Sequence, residues 1–163
     1  MTLLDLAKIV ENWPASVAIA ESEWMFPTIE TVHVLALTLV VGSIAMLDLR
    51  LLGVATRKLG VLQLSGEVLP WTWGAFVVAL LSGSLMVSSA ATKYYNNIPF
   101  RLKLVLLAAA GINMAIFHFT AFRAVHDWNY SLPTPRAARI AATLSLIFWI
   151  GVVFAGRWIG FVK

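Results

Sequence analysis

The chain has 163 residues, of which 60% are hydrophobic and only 12% are charged, and its mean hydropathy is +0.85. Soluble globular proteins carry about 25% charged residues, so this composition excludes an ordinary soluble domain and predicts an integral membrane protein. The formal net charge of +4 is spread over short loops without a basic run, which favours contact with anionic lipid headgroups and gives no reason to expect a nucleic-acid partner. Because the chain has no cysteine, it forms neither disulfides nor cysteine-ligated iron–sulfur clusters.

The N-terminal segment has apolar residues at helical spacing with charged residues opposite them. This pattern predicts an interfacial helix over about residues 2–13. Pro14 is suited to the first position of a helix, which predicts a second short helix over about residues 14–22. Lys8 and Glu11 interrupt the segment early, and this argues against a cleaved signal peptide.

Four apolar stretches follow, at about residues 28–52, 69–91, 101–123 and 137–161. Each has roughly 23 to 25 residues, which at 1.5 Å per residue is enough to cross about 30 Å of hydrocarbon. The sequence therefore predicts an all-α fold: a single membrane domain over residues 1–163, built as a transmembrane four-helix bundle with an N-terminal interfacial helix.

An even number of spans puts both termini on one side of the membrane, here called side A. The loops after the first and third spans then lie on side B. Basic residues divide equally between the two sides, so the positive-inside rule does not decide the orientation. The acidic residues near the N-terminus favour a periplasmic side A, and the bacterial inner membrane is the expected location.

The ionisable residues inside the spans are the candidates for chemistry. His33 lies about five residues into the first span from side A, and Glu30 lies one turn closer to that side on the same face. Arg157 in the fourth span and Met86 in the second are at a similar depth. Charged groups that face lipid are costly, so we expect Glu30, His33 and Arg157 to point into one polar pocket.

These residues match what a b-type haem needs, namely an axial imidazole, an apolar slot and a basic partner for the propionates. His33 would be the axial ligand, Arg157 the propionate partner and Met86 a second ligand. His118 is a further candidate ligand, but it lies nearer side B than His33 by roughly 18 Å. Joint ligation by the two histidines is therefore disfavoured in a regular bundle. The leading hypothesis is a small haem protein that passes electrons between membrane quinone and a membrane or periplasmic partner protein.

Two alternatives stay open. The first is a non-catalytic membrane subunit or scaffold, in which a hydrogen bond between His33 and Glu30 only stabilises the bundle. The second is a metal-handling or transport protein that uses Glu30 and His33. Glu30 and His33 have the Glu-x-x-His spacing of carboxylate-bridged metal bundles, which need two such motifs, so a homodimer would supply the second. Transport is the least supported, because no predicted span is broken by an interior proline.

Small residues in the spans indicate where helices approach closely. Gly156 and Gly160 form the best candidate row for a homo-oligomer interface, although packing within one bundle explains the same pattern. Asn113 in the middle of the third span is expected to bond across helices. At side B we expect Asp48 to pair with Arg50 or Arg123 in a structural network.

Several runs together resemble an uncharacterised family of small bacterial four-span membrane proteins over nearly the whole chain. They are Pro-Thr-Ile-Glu-Thr-Val-His over residues 27–33, Gly42, Leu-Asp-Leu-Arg-Leu-Leu-Gly over residues 47–53, and Arg-Leu-Lys at residues 101–103. This resemblance implies the four-span fold and no particular activity. More loosely, a histidine near the start of the first span, then a glycine and an arginine at its far end, is similar to HemJ-like protoporphyrinogen oxidases and the copper-resistance D (CopD) family. That likeness implies that His33 is a haem-ligand position.

Overall fold

The computed structural model describes residues 2–162, which form helices joined by short loops. The helices are α1 (Leu3–Glu11), α2 (Pro14–Glu21), α3 (Met25–Leu51), α4 (Val61–Ser88), α5 (Ala91–Asn96), α6 (Ile98–Phe119), a 3-10 helix (Ala121–Ala124), α7 (Val125–Trp128) and α8 (Arg136–Trp158). Four segments are long and apolar enough to cross a membrane: α3, α4, α8, and α6 together with its short continuation to Trp128. The predicted all-α fold with four spanning helices is therefore confirmed.

Helix α4 begins eight residues before the predicted second span. The sequence prediction began at residue 69, whereas the helix begins at Val61. The first two turns were missed because Gln63 and Glu67 lower the hydropathy there, although Leu64 is buried. Pro70 consequently lies inside the helix and not at its start, which corrects the expectation that no span has an interior proline. An interior proline removes one backbone hydrogen bond.

The four spans form a row of neighbours in the order α4, α3, α8, α6. Helix α3 packs against both α4 and α8, and α8 also packs against α6. In the described part of the chain, no Cα atom of α4 lies within 8 Å of a Cα atom of α6. Helices α4 and α6 are therefore not backbone neighbours, and α6 is the least buried of the four spans.

The middle of the bundle is apolar and closely packed. Val40, Ala75, Ala110, Trp149 and Val152 form one buried cluster, to which all four spanning helices contribute. Alanines at this level let the helix backbones approach each other.

About one turn towards side B from this apolar layer, hydrogen bonds join two pairs of spanning helices. The Thr72 hydroxyl donates to the Ser43 hydroxyl at 2.8 Å, which ties α4 to α3. The Asn113 amide donates to the Ala141 carbonyl at 2.9 Å, which ties α6 to α8. The expected cross-helix bond of Asn113 is thus confirmed.

Polar contacts at the side-B end differ from the expected ion pair. The Arg50 side chain is fully buried and donates from Nε to the Leu59 carbonyl at 2.7 Å and from Nη2 to the Asn129 carbonyl at 3.2 Å. The buried Asp48 carboxyl is instead approached by Ser145 on α8. Residues two apart on a helix point to different faces, so Asp48 and Arg50 do not pair. Asp48 Oδ2 and Arg50 Nη1 are buried without a hydrogen-bond partner among the described residues.

The N-terminal helices lie at the side-A end. A capping box of Thr2 and Asp5 begins α1. The Glu11 carboxylate at its last position accepts hydrogen bonds from the hydroxyl and the backbone N–H of Thr92, at 2.6 and 2.9 Å. These bonds dock α1 on α5, next to the ends of the spans.

Candidate functional site

The imidazole of His33 is fixed by α4. Its Nδ1 lies 2.9 Å from the Ala79 carbonyl oxygen and 3.0 Å from the Ser82 hydroxyl. A carbonyl oxygen only accepts hydrogen bonds, so the proton of a neutral imidazole is on Nδ1. The lone pair is then on Nε2. His33 therefore presents an acceptor nitrogen to the interior of the bundle.

Lys103 of α6 faces that nitrogen. Its Nζ lies 3.5 Å from His33 Nε2, a long hydrogen bond in which the ammonium donates. An ammonium has three donors, and His33 is its one hydrogen-bond partner within residues 2–162. No described carboxylate pairs with Lys103. The site therefore has a cation with unused donors inside the bundle.

Two glycines make room for these side chains. A Cβ atom at Gly83 of α4 would lie 2.9 Å from His33 Cε1, closer than real Cβ contacts allow. A Cβ atom at Gly156 of α8 would lie 3.4 Å from Lys103 Nζ, which is a tight contact. All four spanning helices thus build the site: α3 and α6 supply the basic groups, and α4 and α8 supply space.

The site lies in the side-A third of the bundle. At 1.5 Å per residue, His33 is about 12 Å from the first residue of α3, and Lys103 is about 8 Å from the first residue of α6. Helices α4 and α6, which both contribute to the site, have no Cα atoms within 8 Å of each other in residues 2–162. Below the site, the apolar layer around Val40 and Trp149 separates it from side B.

The structure does not bring Glu30 and Arg157 to His33. Glu30 is exposed, and its charge acts on Tyr94 in α5, whose pKa is raised mainly by burial and further by this carboxylate. The exposed Arg157 guanidinium stacks on the Phe161 ring, with Cζ 5.0 Å from the ring centroid. Lys103 thus takes the place beside His33 that the sequence prediction assigned to Arg157.

The other two predicted haem ligands, Met86 and His118, lie on different helices and differ in exposure. Met86 is half-buried on α4, three residues beyond Gly83 and therefore on the same face. His118 is exposed near the end of α6 and stacks on Phe122, with ring centroids 5.3 Å apart and an interplanar angle of 20°. Counted at 1.5 Å per residue from the first residues of α3 and α6, it lies roughly 18 Å further from side A than His33.

A haem would need local rearrangement at this position. Both nitrogens of His33 are engaged, and its Cε1 faces Gly83, so an iron ligated by Nε2 would have to replace the contact with Lys103. For a metal ion, no cluster of three or more His, Cys, Asp or Glu side chains with suitable placement exists in the part of the chain that the structure describes. The arrangement is suited to binding an acceptor group by hydrogen bonds from Lys103.

The sequence contained a signal for Lys103 that the prediction did not use. Lys103 lies within the third predicted span, and charged residues in spans are functional candidates by default. The sequence analysis used Lys103 only in the count of basic residues at side A, since it is two residues from the predicted start of the span. Lysine near a helix end usually extends to the interface, whereas here it turns inward towards His33.

A protein-family model covers most of the chain. The Family of unknown function (DUF6644) matches residues 24–162, from just before α3 to the end of the described chain, so α1 and α2 lie outside the match. Neither the curated proteins nor the solved structures contain a match, and the likeness of the first span to HemJ-like and CopD proteins therefore gains no support. The expected membership of an uncharacterised family is confirmed. The chain belongs to the Family of unknown function (DUF6644).

Proposed function

We propose that this membrane protein binds the anionic head group of a membrane-soluble amphiphile at Lys103 and His33. One observation carries the proposal: the half-buried Lys103 side chain places its ammonium 3.5 Å from a neutral acceptor nitrogen of His33, without a carboxylate partner among the described residues. The head group is a carboxylate or a phosphate, because both accept several hydrogen bonds from one cation.

The energetic reason is the cost of an unpaired charge. Removing an ammonium from water costs several kcal/mol unless an opposite charge and hydrogen bonds offset it. His33 offsets little of this cost, since its neutral imidazole supplies one long hydrogen bond. An anion that accepts from the free donors of Lys103 would supply the missing charge. A charge-assisted bond of this kind is roughly twice as strong as a neutral one.

The shape of the bundle favours an amphiphile over a free anion. The site is about 8 to 12 Å from the side-A helix ends, and we take the space between α4 and α6, whose described Cα atoms are all more than 8 Å apart, as its connection with the membrane interior. A lipid-like molecule can place its head group at Lys103 while its apolar tail stays between these two helices. A free anion would have to leave water to reach the same position.

The test is isothermal titration calorimetry of delipidated protein in an uncharged detergent. Oleate and dodecyl phosphate serve as amphiphilic probes, and acetate and inorganic phosphate serve as free anions. We expect binding of an amphiphilic probe that weakens at least tenfold in Lys103→Met. Lys93→Met is the matched control, because Lys93 is an exposed side-A cation on α5, and it should bind as the wild type does.

Two results would overturn the proposal. One is equal binding of the probes by the wild type and Lys103→Met, and the other is no binding by the wild type. If acetate or inorganic phosphate binds as tightly as the amphiphiles do, the tail contributes nothing and the amphiphile assignment is wrong. Nitrogen NMR of labelled histidine gives an independent readout, since His33 Nε2 should shift on binding only while Lys103 is present.

A b-type haem with an electron-transfer role is the second candidate, and one contact favours it. The Nδ1 of His33 is anchored by a backbone carbonyl, which is how ligating histidines are commonly oriented with Nε2 towards a metal. Visible spectra of the purified protein, oxidised and then reduced with dithionite, test this candidate. A Soret band that disappears in His33→Ala would support haem, whereas a featureless spectrum at full expression in haem-replete cells removes it.

The oligomer and scaffold hypotheses can be tested on the same purified protein. A homo-oligomer through Gly156 and Gly160 would use a row whose first member already faces Lys103 of the same chain. A Cβ atom added at Gly160 would meet no atom of the described residues within 4 Å, so this end of the row is free of neighbours within residues 2–162. A scaffold or partner subunit without a ligand is the function left if no amphiphile, haem or metal binds. We further place the protein in the bacterial inner membrane with both termini periplasmic, because acidic residues gather at the side-A end.

A further inference from the structure

We infer a second, separate site at the opposite end of the bundle, where a recess beside α8 binds an anionic phospholipid. The recess has a volume of about 420 Å³ and is lined by Leu52, Arg136, Arg139, Ile140, Thr143 and Leu144. It lies at the side-B end, where α3 ends and α8 begins. The inference does not depend on the function proposed for Lys103 and His33.

The two arginines give the recess its charge. Arg136 and Arg139 are three residues apart and thus on one face of α8, and both are exposed. None of the six lining residues is acidic. Each of the two guanidinium groups can donate a bidentate pair of hydrogen bonds to phosphate oxygens. Arg50, by contrast, is fully buried and bonded to backbone carbonyls, so it is not available to a lipid.

The apolar part of the recess continues from the arginines into the spanning segment. Ile140 and Leu144 follow at intervals of four residues, so they extend the same face for about 12 Å along the helix from Arg136. Their exposed fractions are 61% and 38%, which leaves apolar surface for an acyl chain. The Thr143 hydroxyl donates to the Arg139 carbonyl at 3.0 Å, so it does not place an unsatisfied donor in the recess.

This order of groups identifies the ligand class. A phospholipid has its phosphate at the membrane boundary and its chains in the hydrocarbon, and the recess presents cations at the first residues of α8 and apolar side chains deeper in. Basic recesses between spanning helices bind anionic lipid headgroups in this way. A zwitterionic lipid would bring a cation of its own towards the arginines, so an anionic head group is favoured.

The test is native mass spectrometry of delipidated protein with phosphatidylglycerol and, separately, phosphatidylcholine of the same acyl chains. We expect the wild type to retain phosphatidylglycerol at least tenfold better than phosphatidylcholine. The double variant Arg136→Gln/Arg139→Gln should lose this preference. The matched control is Arg57→Gln/Lys58→Gln, which removes the same charge from exposed side-B residues outside the recess and should keep the preference.

Two further variants distinguish binding in the recess from a general attraction of anionic lipid to basic residues. Ile140→Trp keeps both arginines but fills the recess, so it should also reduce phosphatidylglycerol retention, which a purely electrostatic attraction to the surface would not predict. The same comparison is made in the Lys103→Met background, which removes the anion site proposed at side A, and the loss caused by Arg136→Gln/Arg139→Gln should persist there. Equal retention of phosphatidylglycerol by the wild type and the double arginine variant would overturn the inference, as would the absence of any preference in the wild type.

Discussion

At the scale of single residues, the side-A site depends on what two positions lack. His33 fits against α4 only because residue 83 has no side chain, and the Lys103 ammonium approaches α8 where residue 156 has none. The ring position then follows from the Nδ1 contacts to the Ala79 carbonyl and the Ser82 hydroxyl. Because Nδ1 and Cε1 of the ring are held against α4, the remaining ring nitrogen, Nε2, faces Lys103.

Substitution of Gly83 by alanine should disturb the site. The added Cβ would lie 2.9 Å from His33 Cε1, so either the ring or the α3–α4 spacing must shift. Overpacking of this kind typically costs about 1 to 3 kcal/mol. We expect a lower midpoint of thermal unfolding in detergent and a changed chemical shift of the His33 nitrogens.

The control for this variant is Gly74→Ala on the same helix. A Cβ atom there meets nothing within 4 Å, and alanine is favoured over glycine in a helix interior by up to about 1 kcal/mol. Gly74→Ala should therefore be neutral or stabilising. If Gly83→Ala were as stable as Gly74→Ala with unchanged histidine spectra, the close contact between α4 and His33 would be wrong.

At the scale of elements, ends of helices are held by residues distant in sequence. The first turn of α4 is capped by Asn129, whose side-chain oxygen accepts from Leu62 N at 2.8 Å and whose carbonyl accepts from Val61 N at 3.1 Å. The same carbonyl accepts from Arg50. At side A, α1 is held on α5 by Glu11 and Thr92. The bonds to Thr92 position α1, a short helix that has no buried residue of its own.

The docking of α1 should weaken at acidic pH. Hydrogen bonds from the Thr92 hydroxyl, and then from its backbone N–H, lower the pKa of Glu11 below its ordinary value of 4.5. Because the pKa is lowered in the docked state, the stabilisation is complete above the ordinary pKa and is lost as the pH falls through the lowered one. The side chain is still partly exposed, so solvent screening keeps the effect small.

Spin labels at Lys8→Cys and Lys93→Cys would measure this docking as a distance between α1 and α5. We expect a narrow distance distribution near neutral pH that broadens below pH 4.5, and a distribution in the additional variant Glu11→Gln that does not change with pH. A transition with the same midpoint in Glu11→Gln would show that another group controls α1.

At the scale of the whole molecule, the two ends of the four-helix bundle have different chemistry. The side-A end has a cation inside the bundle, at Lys103, whereas the side-B end has exposed arginines around a recess and one fully buried arginine among loop carbonyls. The apolar layer between the two ends is closely packed. Binding at one end is therefore expected to be independent of binding at the other.

The orientation of the molecule can be tested directly, since the chain has no cysteine. Glu21→Cys lies at side A and Lys58→Cys at side B, and both positions are exposed. With side A periplasmic, a membrane-impermeant maleimide should label Glu21→Cys in cells with a permeable outer membrane and should label Lys58→Cys only after lysis. The reverse pattern would place both termini in the cytoplasm.

The number of spanning helices could be predicted from the sequence, but the side chains that meet at the side-A site could be predicted only in part. His33 was identified because a histidine in an apolar stretch is conspicuous, and the separation of His118 from it followed from counting residues along the helices. Arg157 was expected beside His33 on depth alone, yet its side chain faces Phe161. Depth along a helix can be counted from the sequence, but the direction in which a side chain points cannot be when the helix is apolar on every face.

The sequence by itself determined that the chain is helical and crosses a membrane four times, because each spanning segment must satisfy its backbone hydrogen bonds internally and stay apolar for the thickness of the hydrocarbon. It also determined the depth of each polar residue, since the rise per residue is fixed. Only the tertiary structure decided that Lys103 and not Arg157 meets His33, that Asp48 and Arg50 have different partners, and that α4 and α6 are not backbone neighbours. The physical reason is that lipid solvates all faces of an apolar helix equally, so its rotation is set by close packing at particular positions, such as Gly83 against His33.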